Sequence, residues 1–389
     1  MSWPLVKLGD LFKVTSGGTP SRKKSEYYDG GDIHWVKTGD LHNKYVRTAS
    51  EFITQEGLDG SSARLYPKGT VLVAMYGATI GACSILDIEA ATNQACAAFT
   101  PTDKVDPVFL YYLLKHSKPA FVKAGSGGAQ PNISGTFLKN FEIPLPPLEE
   151  QKRIAAILDK ADAIRQKRKQ AIELADEFLR SVFLDMFGDP VTNPKVWEEH
   201  VLKDITDVRS GVAKGKKVSL DDSVTLPYMR VANVQDGYLD LSEIKQIVVS
   251  KKDAEKCQLM KGDILLTEGG DPDKLGRGYV WNNEIENCIH QNHIFSVRIE
   301  NHHFVHPHFL SAQISSQRGK LYFLKVGKQT TGIATINKAV LRDFVVFIPP
   351  LELQKKYVAI KNKVDDFKRK CESDDLKLFR SISHKVFSG

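Results

Sequence analysis

The sequence predicts an α+β protein made by tandem duplication, two similar globular parts each followed by one long helix. Three observations lead there. The chain has 389 residues, more than one hydrophobic core ordinarily organises, so at least two domains are expected. A proline-capped helix start, "IPLPPLEEQKRIAAI" from Ile143, recurs as "FIPPLELQKKYVAI" from Phe347. The stretches before these two starts share short landmarks in the same order, as a duplicated unit demands.

Each unit opens alike, with "KLGDLFKVTSG" from Lys7 and "VLKDITDVRSG" from Val201. "YPKGTVLVA" from Tyr66 then matches "LMKGDILLT" from Leu259, and "TNQACAAF" from Thr92 matches "IHQNHIFS" from Ile289. "DPVFLYYLL" from Asp106 answers "HPHFLSAQI" from His306, and "ISGTFLKNFEIPLPPLE" from Ile133 answers "INKAVLRDFVVFIPPLE" from Ile336. Between the landmarks the copies differ almost completely, so a shared frame carries divergent loops. Residues 69–86 form the longest uncharged stretch, but three glycines interrupt it, and it reads as strand, turn, strand rather than a membrane span.

Pro146, Pro147, Pro349 and Pro350 end what precedes and suit a first helical turn, while Glu149, Glu150 and Glu352 place negative charge at the positive end of the helix dipole. Downstream, Ile157, Ala161, Ile164, Ala171, Ala175, Phe178 and Val182 recur at helical spacing, interrupted by Arg168. In the second copy Tyr357, Ile360, Val364, Phe367, Cys371, Leu378 and Ile382 do the same, so each seam is expected to pair with the other. Gly188, Pro190 and Pro194 stop the first helix. The boundaries expected are 1–145, 146–188, 189–347 and 348–389.

Composition narrows the function. A hydrophobic content of 42% with 26% charged residues is that of a folded, soluble chain, and no membrane association is expected. Five scattered cysteines without a C-x-x-C pair favour a reducing cytoplasm over a disulfide or zinc framework. The net charge of +7 suits a polyanionic partner, and equally an ordinary basic surface. No phosphate loop, dinucleotide fingerprint or Asn-Pro-Pro-aromatic signature of amino-methylating DNA enzymes is present. Glu243-x-Lys245 has the spacing of a nuclease half-motif, with no suitable Pro-Asp before it. His290, His293, His302, His303, His306 and His308 crowd the second copy, but no accompanying ligand set is evident, and surface or nucleic-acid-facing histidines are expected rather than a metal site. No catalytic residue is assigned.

The divergent loops hold donors beside aromatics and glycines. "SGGTPSRKK" (16–24) offers Thr19, Ser21, Arg22, Lys23 and Lys24, and "SGVAKGKK" (210–217) offers Lys214, Lys216 and Lys217. Such residues suit phosphate contacts, because lysine and arginine displace counterions and glycine admits the backbone; a solvated basic turn would look the same. "WVKTGDLHN" (35–43) and "YMRVANVQDG" (228–237) add Lys37, Thr38 and Asp40, or Arg230, Asn233 and Gln235. Arginine with guanine and asparagine or glutamine with adenine are the pairings that the major groove favours. Further DNA-contacting candidates are Tyr76, Thr79, Asn93, Gln94, Asn132, Arg277, Gln291 and Lys328.

"SGGTPSR", "YYDGGDIHWVKTGDL", "YGATIG", "PLPPLEEQKRIAAILDKAD" and the second "IPPLELQKK" together resemble the specificity subunit of a type I restriction-modification system, over the whole chain. The resemblance implies two α/β target recognition domains, each reading half of a bipartite double-stranded DNA site. It also implies that the long helices pack as an antiparallel coiled coil with pseudo-twofold symmetry, a spacer docking two modification (methyltransferase) subunits. On the same resemblance, restriction subunits would complete the assembly. Catalysis, with S-adenosylmethionine, ATP and Mg, would then belong to those partners, and this chain would bind no cofactor. In the second copy "TEGGDPDKLG" stands where "YGATIG" is expected, and its helix is three residues shorter. Two other readings fit less well: a coiled-coil scaffold without a nucleic-acid role, which salt-sensitive DNA binding would exclude, and a stand-alone DNA-modifying enzyme with unrecognised motifs, which unaided S-adenosylmethionine binding would revive.

Overall fold

The computed structural model describes residues 3–125, 132–215, 218–270, 275–330 and 333–387, and within these the side chains other than those of 220, 328–330, 333 and 373–387. By packing, the chain divides into Met1–Gln170 with Lys370–Gly389 (unit 1) and Ala171–Arg369 (unit 2). This division falls inside the two long helices, whereas the expected boundaries follow the ends of elements.

Unit 1 runs β1 (Leu5–Lys7), α1 (Leu8–Leu11), β2 (Thr15–Ser16), β3 (Ile33–Val36), β4 (Tyr45–Val46), β5 (Glu51–Ile53), α2 (Gln55–Asp59) and β6 (Leu65–Tyr66). It continues with β7 (Val71–Ala74), β8 (Cys83–Leu86), β9 (Ala90–Thr92), β10 (Cys96–Phe99), α3 (Pro107–His116), α4 (Lys118–Gly125), α5 (Gly135–Asn140), β11 (Glu142–Pro144) and the start of α6 (Leu148–Phe187). Its sheets have the orders β2-β10-β7-β8-β4 and β5-β3-β9-β6, and β1 pairs with β11. The uncharged stretch is the expected hairpin, with Val71 opposite Ile85. All residues of β7, β8 and β10 are buried, which is why these strands read as unbroken apolar runs.

In unit 2, the rest of α6 is followed by β12 (Glu199–Val201), α7 (Leu202–Ile205), β13 (Thr206–Ser210), β14 (Ser223–Met229), β15 (Lys245–Ser250), α8 (Lys251–Cys257), β16 (Ile264–Thr267) and β17 (Gly269–Gly270). Then come β18 (Gly278–Val280), β19 (Ile289–His290), β20 (Ile294–Ile299), α9 (Pro307–Ile314), α10 (Gln317–Val326), β21 (Lys328–Thr330), β22 (Ile333–Thr335), α11 (Lys338–Arg342), β23 (Val345–Phe347) and α12 (Leu351–Phe387). The orders are β13-β20-β16-β18, β15-β14-β19 and β17-β22-β21, with β12 on β23. The parallel pairs are β3–β9 and β4–β8 in unit 1 and β14–β19 in unit 2, and the other pairs among the described strands are antiparallel, so each unit mixes helices with mixed sheets.

Shared hydrogen bonds reveal how the copies correspond. Asn93 N–H donates to Val36 O and Gln291 N–H to Met229 O, each at 3.0 Å, so Asn93 answers Gln291 and Thr92 answers His290. The landmark match had set Asn93 beside His290, one residue out of register.

The repeated helix start fixes each long helix to its own domain. Gln151, buried, donates to Pro146 O (2.9 Å) and Lys104 O (3.0 Å) and accepts from Asp106 N–H (2.9 Å). Gln354 does the same with Pro349 O (2.7 Å), Phe304 O (3.1 Å) and His306 N–H (2.8 Å). Three backbone groups with no partner of their own are thereby satisfied in each unit.

Ile154, Ala155, Leu158 and Ala161 are buried, the first three in the core with Leu8, Phe109 and Ile143, so this face of α6 is committed to the domain. Of the expected seam, Ile157, Ile164, Phe178 and Phe367 are exposed, at 38%, 42%, 55% and 46%. In unit 2 the end of α6 meets α12 through Phe183 and Phe187, whose rings lie 5.4 and 5.6 Å from Tyr357, and through Asp176, 2.7 Å from Lys368. Those segments therefore run in opposite directions. Gly188 closes α6 with φ +83° and its N–H on Leu184 O, 2.8 Å away.

Candidate nucleic-acid interface

In unit 1 the candidate residues gather along one edge, where β2, β3, β7 and β9 end. Gly18 N–H donates to Thr92 O (2.9 Å), Asn93 N–H to Val36 O (3.0 Å), and Met75 N–H to Ala95 O (2.8 Å), while Tyr76 bridges Asn132. These links set loop 16–24, turn 37–40 and stretches 76–79 and 93–95 side by side. At Gly17 a Cβ would lie 1.9 Å from Thr92 O, so the loop crosses β9 at a distance only glycine allows.

The loop is fastened rather than merely solvated. Buried Trp35 donates its indole N–H to Gly18 O (3.0 Å), Tyr28 O–H donates to Pro20 O (2.6 Å), and Thr19 Oγ1 donates to Gln94 Oε1. Arg22 lies 4.4 Å above the Tyr28 ring and 5.1 Å from that of Trp35, and it shares the carboxylate of Glu51 with Lys37. The Lys37 hydrogen bond, with Arg22 adding to it, holds the Glu51 carboxyl below its usual range against the opposing effect of burial. Asp40 accepts Lys37 N–H (2.8 Å) and Ser50 N–H (3.3 Å), so its oxygens close the turn. Asn93 Oδ1 accepts Ala95 N–H (3.2 Å), and Thr79 Oγ1 donates to Tyr76 O (3.0 Å). Ser21, Lys23, Tyr76, Gln94 and Asn132 are exposed, and Thr38 is half-buried.

The same edge exists in unit 2. Val212 N–H donates to His290 O (2.9 Å), Asn292 N–H to Val212 O (3.0 Å), Glu268 N–H to His293 O (3.0 Å) and Ile336 N–H to Glu268 O (2.8 Å). A Cβ on Gly211 would lie 2.1 Å from His290 O. Exposed Lys214 stands 5.4 Å from the Tyr228 ring, Tyr228 being the counterpart of Trp35. Arg230, the counterpart of Lys37, donates to Glu243 O (2.9 Å) and Oε2 (3.0 Å), and Lys245 approaches the same carboxylate at 3.4 Å. Arg230 and then Lys245 hold the Glu243 carboxyl below its usual range.

Asn233 differs from the expectation. It is buried, Oδ1 accepts Arg230 N–H (2.9 Å), and Nδ2 donates to Asp240 O (2.8 Å) and Glu243 O (3.0 Å), so its amide builds the turn and has nothing left to offer a base. Arg277 is half-buried, its carbonyl accepting Thr267 N–H (3.1 Å), and Gln291 is half-buried beside Val212. Lys328 opens β21, opposite Thr335, though its side chain lies outside the described residues, as do Lys216 and Lys217.

Histidines expected at the surface are in part structural. His290 is fully buried, its Nδ1 3.0 Å from Cys257 O; His306 caps α9; and burial pushes both His290 and His308 down to about 4. Among the described residues no three His, Cys, Asp or Glu side chains converge as metal ligands, and no helix is long and apolar enough to cross a membrane. Gln151, Gln354, Tyr28 and Glu51 are residues that the sequence motifs did not single out, and Glu243, which stands out in the sequence only as part of a nuclease half-motif, instead pairs with Arg230 and Lys245. The two glutamines stand at the same place after each proline pair, which was visible; the acids depend on strand pairing, which was not.

The type I restriction modification DNA specificity domain matches the chain twice, at residues 2–174 and 194–376. The MjaIX specificity subunit of Methanocaldococcus jannaschii is 33% identical over 60% of this chain and 59% of its own length, and the EcoKI specificity subunit of Escherichia coli is 22% identical over 92% and 80%. The EcoR124I/EcoR124II specificity subunit is 28% identical over 40% of each chain, so the matches to MjaIX and EcoR124I/EcoR124II span only about half the length of those relatives. Among solved structures, the type I S subunit from M. genitalium shares the fold with a TM-score of 0.55 and 18% identity, over 99% of this chain and 96% of that one. A chain of a type I R-M system gives 0.59 and 18%, over 98% and 96%.

Proposed function

We propose, from the premise that this chain belongs to the family of type I restriction-modification DNA specificity domains, that it is the sequence-reading subunit of such a complex, each unit recognising one half of a bipartite site in double-stranded DNA. The observation that carries this reading is the recognition edge built twice from one frame, with basic, amide and hydroxyl groups along it. Exposed Lys23 and Lys214 act on phosphates, where position matters more than base identity. Arg22, Asn93, Gln94 and Gln291 supply groups able to face base edges in the major groove.

The helices α6 and α12 form an antiparallel coiled-coil spacer, supported by the opposed contacts of Phe183 with Tyr357 and Asp176 with Lys368. The spacer sets the unspecified gap between half-sites, and its exposed apolar residues, Ile164 and Phe178 among them, serve docking of two modification subunits. Methyl transfer and ATP-driven restriction, with their S-adenosylmethionine, ATP and Mg, belong to those partners and to the restriction subunits, in the cytoplasm. The test is to sequence methylated positions in host DNA with and without this chain, and to assay methylation by the chain alone. Loss of one bipartite consensus on deletion, and no methylation by the isolated chain, are expected. An unchanged methylation pattern, or activity in isolation, would overturn the reading.

A further inference from the structure

We propose that Glu51 and Glu243 are positioning residues of the two recognition edges, each holding in place the basic side chain that follows the strand end, Lys37 after β3 and Arg230 after β14. The inference rests on the DNA-recognition reading above. The two acids hold different places in their units: Glu51 is the first residue of β5, opposite Trp35, whereas Glu243 precedes β15, whose Lys245 is opposite Tyr228. Both nevertheless reach the same point of the frame. At that point the basic residue is held at both ends, its N–H by the side chain of Asp40 or Asn233 and its cationic tip by the glutamate.

Each carboxylate also binds a second cation, Arg22 in unit 1 and Lys245 in unit 2, leaving a triad of net charge +1. A carboxylate on a surface meant for phosphates works against general attraction. Its presence at both edges has a use if fixed donors matter more than raw attraction. Lysine and arginine lose much rotamer freedom when ordered, and a glutamate that orders them during folding removes that cost from DNA binding. Discrimination between base edges needs donors with one direction, which a free lysine lacks.

Glu51→Gln and Glu243→Gln keep shape and remove charge, and Glu243 is 66% exposed, so that the second variant tests the claim where folding is not at stake. The full chain, assembled with its modification subunits, is titrated with a duplex carrying the consensus read from its own methylation pattern and with duplexes in which one half-site is scrambled. Each variant is expected to bind scrambled duplex more tightly, with a salt slope steeper by about one. At the same time discrimination at one half-site falls about tenfold, at the opposite half for the other variant. Weaker binding to every duplex would mean a merely structural role, stronger binding to all with unchanged ratios would mean simple repulsion, and a changed preferred base would mean direct readout; each overturns the inference. Failure of the unmodified complex to distinguish intact from scrambled duplex would instead overturn the recognition reading beneath it.

Discussion

Residues 16–24 of unit 1 and 210–215 of unit 2 leave equivalent strands and cross equivalent neighbours, yet they are held differently. The first is tied by Trp35 to Gly18, by Tyr28 to Pro20, by Gln94 to Thr19 and by Glu51 to Arg22. In the second, Lys214 over the ring of Tyr228 is the described side-chain contact of the basic part of the loop. The crossing itself is the same in both, glycine against a strand carbonyl. What the copies share therefore sets where each loop stands, and what they do not share sets which described side chains meet it.

The largest expected effect tests the shared crossing. Gly17→Ala and Gly211→Ala each press a methyl group into a backbone carbonyl that cannot move aside, so each is expected to cost its unit about 3 kcal/mol. Hydrogen exchange resolved by unit should show the loss confined to the unit that bears the change. Tolerance in one unit alone would break the equivalence.

Next come the helix clamps. Gln151→Ala and Gln354→Ala each strand two carbonyls and one N–H, and should destabilise their units by a similar amount, about 2 kcal/mol. Thermal unfolding of both variants checks this, and an effect in one only would show that the repeated start does different work in the two copies.

A smaller effect separates the units by pH. His290 and His308 have lowered values in the folded chain, about 4 against an ordinary 6.5, whereas Thr92 and Val108 occupy their places in unit 1. Between those values the unfolded chain binds more protons, so the stability they support is present above pH 6.5 and lost as pH falls through 4, on the order of 3 kcal/mol apiece. Unit 2 should thus loosen before unit 1 on acidification. His308→Gln should reduce that slope, read by hydrogen exchange across the same pH range.

Local features of this fold were legible in the sequence because local chemistry encodes them: the proline-capped starts of α6 and α12, the β7–β8 hairpin and the Gly188 stop. Long-range features were not. A helical apolar period does not say which partner it meets, and the α6 face bearing Ile154 and Leu158 packs into the domain while Ile157 and Ile164 stay exposed. Asn233 has the composition of a base-reading residue and the hydrogen bonds of a turn, a distinction that rests on the Arg230 and Asp240 backbone groups around it. Glu51 gave no warning at all, since its meeting with Arg22 and Lys37 requires β5 to lie beside β3.

The central claim is that each unit reads its own half of the site while the frame stays fixed. It is tested most directly by replacing residues 8–141 with the corresponding stretch of a relative of different specificity, keeping α6, unit 2 and α12, and sequencing the methylated positions made by the assembled complex. One half of the consensus should change, with the other half and the gap between them unaltered. A complex that is active but altered in both halves, or in neither, would contradict the account.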